Sequence, residues 1–377
     1  MNNMNIEENA LVTCFEELVA IYSPSRREKA MADFLADKLK AMGADVFLDH
    51  SYEAYEGNAP TIFARFPGTV PGPGVSFSAH MDVVEPNRGV KVLRDGDWLH
   101  SDGTTTLGGD DKGGICAILT AISYLLDHNI DHEELVLILT PGEEMGMLGA
   151  QAIDWKKIRE NIDPPKDMIV VDNAGPACHV AYQAPASYHY RFTVHGKSAH
   201  AGIEPEKGVN AIRVLSRILS ALPSGRIDAR TTANISTLRS DFPSNVVPDL
   251  AEASGELRGH DPDHLKELLA SYERLARETA EKAGARATFT AKMEYPPLCP
   301  TDDLRFAKEF QKIYQEVGVD ADLQIIGGGS DANFFAEEGF NAIIIGVGMD
   351  KVHTVEERLN VKDLQKTTEA LVHYLAK

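Results

Sequence analysis

The amino-acid sequence predicts an α/β fold, in which a mixed, mostly parallel sheet has flanking helices and a smaller α+β domain is inserted. Three observations lead to this prediction. Short apolar runs, such as LVLIL within 134–140, have the length and composition of fully buried strands. Stretches with helical periodicity alternate with these runs, as expected for a parallel sheet. In the middle of the chain the pattern changes to strands with one exposed face and long amphipathic helices.

The two ends of the chain supply the predicted α/β layer. Residues 8–42 place apolar and charged residues at helical spacing, and SPSRRE at 23–28 interrupts the pattern, so two helices are expected there. The other elements predicted for this layer are strands at 74–80, 134–140, 167–172, 323–329 and 341–348 and helices at 112–128 and 332–339.

The middle segment predicts a separate domain. SYHYRFTVHG at 187–196 alternates like a strand with one exposed face, and VNAIRVLSRILSALPS at 209–224 has the spacing of an amphipathic helix. The other elements expected here are strands in TANISTLRS, EASGELRGH and ARATFTAKMEY and a long helix over 263–284. The predicted organisation is one domain formed by 1–183 and 297–377, with 184–296 inserted.

Length and composition limit the class of protein. The 377 residues exceed the roughly 250–300 at which single cores stop growing, so two domains are expected. The formal net charge of −20 argues against nucleic acid or an anionic membrane as the main partner, because both require a basic surface. No secretory signal, membrane-spanning run or C-x-x-C pair is evident, and the cysteines are expected to be reduced thiols. We therefore expect a cytoplasmic protein.

Acids and histidines follow the predicted buried strands. In open α/β sheets, sites form beyond the carboxyl ends of the strands, so these side chains are expected at one edge. Carboxylates that converge there unpaired would each cost several kcal/mol unless cations neutralise them. Imidazole and carboxylate without thiolate suit zinc, and manganese or cobalt is also possible. The residues concerned are His80, Asp82, Asp110, Asp111, Glu143, Glu144, Asp172 and His353.

The spacing of His80 and Asp82 has its own significance. In an extended segment, side chains two residues apart face the same way. Asp82 could then contact the His80 ring and fix its tautomer, which is the usual role of a carboxylate behind a metal-binding histidine.

Five motifs in this order resemble the co-catalytic zinc peptidase family that contains peptidase T, carboxypeptidase G and succinyl-diaminopimelate desuccinylase. The resemblance extends over essentially the whole chain and is strongest to the peptidase T branch. The motifs are SAHMD at 78–82, DDKGG at 110–114, EEMG at 143–146, VVDNAG at 170–175 and KVHTVEE at 351–357.

This resemblance implies a zinc exopeptidase-like fold with two divalent metal ions. It implies that His80, Asp110 and Asp172 hold one ion. The other would be held by Asp110, Glu144 and His353, with Asp110 bridging both. Glu143 would be the general base toward a metal-activated water, and Asp82 would assist catalysis from behind His80. A cis peptide between Asp110 and Asp111 is also implied.

The resemblance further implies that the inserted segment is a lid and dimerisation domain. His200, in HGKSAHAG, is expected to reach the site of the partner subunit in a homodimer. Asn245 and Arg258 match substrate-anchoring positions, and an arginine can bind a peptide carboxylate with two hydrogen bonds. Gly328 and Gly329 would line the pocket through their backbone groups.

The expected function is therefore a dizinc exopeptidase that acts on short peptides, namely a tripeptide aminopeptidase similar to peptidase T. A carboxypeptidase or an N-acyl amino acid amidohydrolase with the same metal site is an alternative, because pocket walls rather than metal ligands separate these activities. An inactive metal-binding relative is a second alternative, against which the intact Glu143 and Asp82 argue. The sequence does not identify a residue that would recognise a free amino terminus.

Overall fold

The computed structural model describes residues 6–377, so the first residues of the stretch inspected for a secretory signal lie outside the described part. The helices are α1 (Glu8–Val19), α2 (Lys29–Ala41), α3 (Gly109–Asp127), α4 (Leu148–Ala152), α5 (Trp155–Arg159), α6 (Ala211–Ala221), α7 (Pro262–Lys282), α8 (Arg305–Glu316), α9 (Ala332–Glu337) and α10 (Val361–Leu375). The strands are β1 (Asp45–Asp49), β2 (Thr61–Phe66), β3 (Val75–His80), β4 (Leu93–Asp95), β5 (Trp98–His100), β6 (Leu135–Thr140), β7 (Asp167–Asn173), β8 (His179–Gln183), β9 (Ala186–His195), β10 (Gly225–Asp228), β11 (Thr231–Arg239), β12 (Leu250–Gly259), β13 (Arg286–Tyr295), β14 (Asp322–Ile325), β15 (Asn341–Gly346), β16 (Met349–Asp350) and β17 (Arg358–Asn360).

The described chain divides into two compact units. The first comprises the chain up to Gln183 together with Cys299–Ile326 and Ser330–Lys377. The second comprises Ala184–Leu298 together with Gly327–Gly329. The short glycine segment belongs with the second unit, where the carbonyl of Gly327 accepts a hydrogen bond from Arg258 Nη1 at 3.3 Å.

The first unit is built on a large sheet with the strand order β1-β2-β6-β3-β7-β15-β8-β14. The pairs β6–β3, β3–β7, β7–β15 and β8–β14 are parallel, whereas β1–β2, β2–β6 and β15–β8 are antiparallel. The predicted fold class, a mixed and mostly parallel sheet with flanking helices, is confirmed.

The central strands are apolar along their whole length because both of their faces are covered. Every residue of β3 and β6 is buried, which explains the continuous run LVLIL in β6. Helix α3 packs against β3, β7 and α10. Asp110 and Asp111 at its start have non-helical backbone angles, so regular helix begins at Lys112, as the sequence predicts.

A second, smaller sheet in the first unit has the order β16-β17-β5-β4. Its strands are two or three residues long and were not predicted. The segment 351–357, which carries His353, connects β16 to β17. This sheet therefore fixes both ends of a loop that contains a predicted metal ligand.

The second unit combines an antiparallel sheet of order β10-β11-β12-β9-β13 with helices α6 and α7. Helix α6 buries Ala211, Val214, Leu215 and Ile218, the i, i+3, i+4, i+7 spacing of an amphipathic helix. Helix α7 begins at Pro262, and the preceding Asp261 caps it by accepting hydrogen bonds from two backbone N–H groups. This unit contains both strands and helices; the sequence predicts an inserted α+β domain over 184–296.

Two further observations concern the hydropathy of the helices and the state of the cysteines. Within residues 6–377, no helix is both long enough and apolar enough to cross a membrane. Cys14, Cys116, Cys178 and Cys299 are free thiols, as expected from their scattered positions.

Candidate metal centre

Neighbouring parallel strands bring the predicted ligands to one edge of the large sheet. β3 ends at His80, and β6 runs beside it in register, with Thr140 opposite His80. Asp172 lies near the end of β7, on the other side of β3. β15 is the next strand after β7, and His353 follows it along the chain. These residues therefore lie at or beyond the carboxyl ends of the strands, the edge at which open α/β sheets bind their ligands.

The five predicted metal ligands, His80, Asp110, Glu144, Asp172 and His353, lie in one cluster with Asp110 at its centre. One carboxylate oxygen of Asp110 is 3.0 Å from His80 Nε2, and the other is 3.2 Å from His353 Nε2. His80 Nε2 is also 3.8 Å from Asp172 Oδ1, and His353 Nε2 is 3.0 Å from Glu144 Oε2. The cluster thus contains two groups of donor atoms that share Asp110.

The cluster is buried on one side and accessible on the other. His80 is 2% exposed, whereas the side chain of His353 is 52% exposed. Water and a substrate could therefore approach from the side of His353.

Asp82 connects His80 to the turn that carries the two glutamates. His80 Nδ1 is 3.1 Å from the main-chain oxygen of Asp82 and 3.3 Å from its carboxylate. The fully buried carboxylate also accepts hydrogen bonds from the backbone N–H groups of Glu143 at 3.0 Å and Glu144 at 3.2 Å. Asp82 therefore turns Nε2 of His80 toward Asp110 and fixes the glutamate turn at the same time.

Glu143 and Glu144 lie on one 3₁₀ turn, Glu143–Met145, which two glycines bound. Gly142 and Gly146 have φ angles of 70° and 96°, a backbone region that favours glycine. Glu144 contacts His353, while Glu143 is half-buried beside the cluster. Burial and then the charge of Asp172 raise the pKa of Glu143 well above its usual range, which makes its carboxylate a stronger base.

The donor atoms suit divalent cations. Ligand atoms of His80, Asp110 and Glu144 lie within 4.8 Å of one another. Glu144 Oε1 is buried and has no hydrogen-bond partner among residues 6–377. Burial and then the charge of Asp111 raise the pKa of Asp172 well above its usual range, so an ionised Asp172 requires a balancing positive charge. Imidazole nitrogen and carboxylate oxygen are the ligands that zinc accepts in such sites.

Asp111 is a second acid near His80 that was not predicted as a ligand. Ligand atoms of His80, Asp111 and Asp172 also lie within 4.8 Å of one another. However, the two carboxylate oxygens of Asp111 accept hydrogen bonds from the backbone N–H groups of His80 and Gly114, each at 3.2 Å. Asp110, whose oxygens face the two histidines, is therefore the better bridging group. The peptide bond between Asp110 and Asp111 is cis, which confirms what the resemblance implies.

The predicted substrate residues belong to the second unit. His200 and Asn245 are exposed and lie in adjacent segments, because the N–H of Ala201 donates to the carbonyl of Asn245 at 2.9 Å. Arg258 Nε and Nη2 donate to the carboxylate of Glu256 at 2.8 and 3.0 Å. Gly328 and Gly329 are in this unit as well, next to Gly327, which Arg258 contacts.

Two buried acids near the cluster were missed from the sequence. Asp331 is 2% exposed and accepts a hydrogen bond from the hydroxyl of Thr140, the last residue of β6. Burial raises the pKa of Asp331 to about 7. Glu357 is also 2% exposed; burial raises its pKa to about 7, and hydrogen bonds from backbone N–H groups oppose this rise. Two signals in the sequence could have indicated these acids. Asp331 is a charged residue in the stretch after Gly327–Gly329, and Glu357 belongs to a second Glu-Glu pair, which follows His353.

The fold and this cluster together define a metal-dependent hydrolase of the metallopeptidase class. The chain belongs to peptidase family M20/M25/M40, whose model matches residues 76–377. Within that family it is a peptidase T-like exopeptidase.

Two solved structures resemble the chain over nearly its whole length. The crystal structure of the aminopeptidase PepT from Bacillus cereus is 32% identical, with a TM-score of 0.93 and coverage of 98% of each chain. That of a tripeptidase from Staphylococcus aureus is 30% identical, again with a TM-score of 0.93 and coverage of 98% of each chain. The YqjE protein of Bacillus subtilis is 33% identical over 367 residues, which are 97% of this chain and 98% of YqjE.

Proposed function

We propose that this chain is a dizinc aminopeptidase that removes the N-terminal residue from tripeptides. The observation that carries the proposal is the position of Asp110, whose two carboxylate oxygens each face one histidine. Glu143 lies beside this cluster, on the 3₁₀ turn that also carries Glu144. Similarity along the whole chain to an aminopeptidase and a tripeptidase supports this choice of substrate.

His80, Asp110 and Asp172 would hold one metal ion, and Asp110, Glu144 and His353 the other. When bound, two divalent ions would acidify a water molecule and stabilise negative charge on the substrate carbonyl oxygen. Zinc is proposed because histidine and carboxylate donors fit it, and cobalt or manganese would fit the same donors.

Glu143 would act as the general base and then as the general acid. Its carboxylate takes a proton from the water as the water oxygen attacks the carbonyl carbon of the first peptide bond. It then delivers that proton to the amide nitrogen as the C–N bond breaks, so the products are a free amino acid and a dipeptide. Asp82 would hold this turn in place through the N–H of Glu143.

The second unit would bind the substrate. Arg258 and Asn245 would anchor the terminal carboxylate, with Gly328 and Gly329 along the pocket wall. His200 would stabilise the oxyanion in the site of the partner subunit of a homodimer, which makes this unit a lid and dimerisation domain. The homodimer and the cytoplasmic location stay predictions from the sequence.

A substrate panel tests the proposal. The metal-free chain is loaded with zinc, cobalt or manganese and assayed on free-amine tripeptides, their N-acetylated forms, dipeptides and N-acyl amino acids. We expect the free-amine tripeptides to give the highest kcat/KM and the metal-free chain to be inactive. Faster cleavage of N-acyl amino acids or of C-terminal residues would instead favour the amidohydrolase or carboxypeptidase alternative, and no cleavage in any metal form would favour the inactive relative.

A further inference from the structure

The buried carboxylate of Glu357 binds the backbone of the loop that leads to Asp110. Glu357 Oε2 accepts hydrogen bonds from the N–H groups of Leu107 and Gly108, each at 2.8 Å. Glu357 Oε1 accepts a hydrogen bond from the N–H of Asp110 itself at 2.9 Å. These contacts join parts of the chain that are 247 to 250 residues apart in sequence.

The hydrogen bonds at this position require a carboxylate side chain. Three N–H groups point at two oxygens, so the side chain must supply acceptors at both terminal atoms. Hydrogen bonds from backbone N–H groups to a carboxylate are roughly twice as strong as those between neutral groups. The surroundings are also tight, because a Cβ atom added at Gly109 would lie 3.1 Å from Glu357 Oε1.

Glu357 is linked to His353 through a single turn. The N–H of Glu357 donates to the carbonyl of Thr354 at 3.1 Å, and the hydroxyl of Thr354 donates to the carbonyl of Lys351 at 2.7 Å. His353 has a φ of 63°, so the backbone turns sharply at the residue whose ring faces Asp110. One short segment therefore carries a predicted ligand and also holds the backbone of the predicted bridging ligand.

We propose that Glu357 is a positioning residue that sets the place of the bridging Asp110 relative to His353 and so determines how tightly the second metal ion is held. The inference rests on the ligand assignment of the proposed function. Asp82 offers a parallel within the same site, because its buried carboxylate binds the backbone N–H groups of Glu143 and Glu144. Two buried carboxylates would then hold the backbone of predicted ligands, Asp82 that of Glu144 and Glu357 that of Asp110.

The test replaces Glu357 with glutamine, which keeps the size but presents an NH₂ group where an acceptor is needed. The matched control is Glu356→Gln, because Glu356 is the adjacent exposed residue and pairs with Lys351 at 2.8 Å. Both variants and the wild type are titrated with Co²⁺, and the visible absorption spectrum, metal stoichiometry, kcat and KM are measured. Circular dichroism and the melting temperature check that each variant is folded.

We expect Glu357→Gln to bind the second Co²⁺ about 10- to 100-fold more weakly and to show a changed visible spectrum, since outer partners of metal ligands have effects of this size. Its kcat should fall while KM stays near the wild-type value, and Glu356→Gln should match the wild type. Should Glu357→Gln fail to fold, Gly109→Ala presses a methyl group against Glu357 Oε1 and should change the spectrum and affinity in the same direction.

The outcomes separate this inference from the proposed function. A wild type that binds two Co²⁺ ions, with a folded Glu357→Gln variant of the same affinity and spectrum, overturns the positioning role alone. A wild type that binds no second Co²⁺ ion overturns the ligand assignment and the inference together.

Discussion

The two units of this chain present their predicted functional residues in different ways. In the first unit, the candidate ligands converge from strand ends and loops that are distant in sequence, and all of them except His353 are buried or half-buried. In the second unit, His200 and Asn245 are exposed, and Arg258 pairs with Glu256 only two residues away. Residues fixed by many distant contacts are suited to chemistry, whereas exposed residues with local partners are suited to substrate binding. Changes in the first unit should therefore lower turnover in the same subunit, whereas changes in the second should alter substrate binding or, at His200, turnover in the partner subunit.

The largest effect expected in this comparison is on the glutamate turn. Glu143→Ala should reduce kcat by about 10²–10⁴-fold and retain two metal ions, because it removes the proposed general base but no proposed ligand. Glu144→Ala should lose metal, because it removes a proposed ligand that contacts His353. Elemental analysis of the two purified variants, together with kcat, checks the assignment. Loss of metal from Glu143→Ala and its retention by Glu144→Ala would reverse the two roles.

The second effect concerns His200. His200→Ala should reduce kcat by about 10²–10³-fold, the range measured when one oxyanion donor is removed. Mixing the strongly impaired Glu143→Ala and His200→Ala proteins should raise activity as subunits exchange. In a mixed dimer, one site combines an intact Glu143 with His200 of the partner subunit, and the other site lacks both groups.

Recovery should therefore approach half of the wild-type activity for each mixed dimer. Subunit exchange is verified separately, by mass spectrometry of differently tagged chains. If exchange occurs and no activity returns, His200 does not serve a partner subunit, and the candidate metal centre is unaffected by that result.

The smallest effect concerns Arg258. Arg258→Lys should raise KM for a tripeptide by roughly 10- to 100-fold, because hydrogen bonds to charged groups contribute about 1.5–3 kcal/mol. A tripeptide amide, which lacks the terminal carboxylate, should show no such increase relative to the wild type. The matched control is Glu256→Gln, which keeps the arginine and removes the charge that holds its Nε and Nη2. Equal KM increases for acid and amide would contradict the carboxylate role.

The sequence predicts the parts of the fold that have a long, uniform pattern. Strands β3 and β6 were found because both faces are covered and every residue except His80 is apolar or small. The strands β16 and β17 were missed because two or three residues are too short to show a period of two. Strands β1 and β2 were not predicted either, although DVFLD in β1 has a half-buried pattern.

The candidate site was predictable to the extent that its residues lie at strand ends. His80, Glu143 and Asp172 follow strands that could be recognised individually, and the fold class then places them together. Glu357 could not be assigned a role from the sequence, because its partners are backbone N–H groups that lie 247 to 250 residues away. Side-chain chemistry shows in a sequence, whereas the backbone groups that a carboxylate will bind do not.

The ends of the inserted unit have a consequence for how the chain assembles. Ala184 and Leu298 exchange two backbone hydrogen bonds of 3.1 Å, so the entry and exit of this unit lie side by side. Once the inserted unit has folded, the segments of the first unit before and after it start from neighbouring points, as if a short loop connected them. Folding of the first unit then no longer requires the loss of conformational entropy that closing a long flexible loop would cause. We therefore expect the folded inserted unit to favour formation of the sheet that carries the candidate metal ligands. Replacing this unit with a tight turn between residues 184 and 298 should leave that sheet able to form.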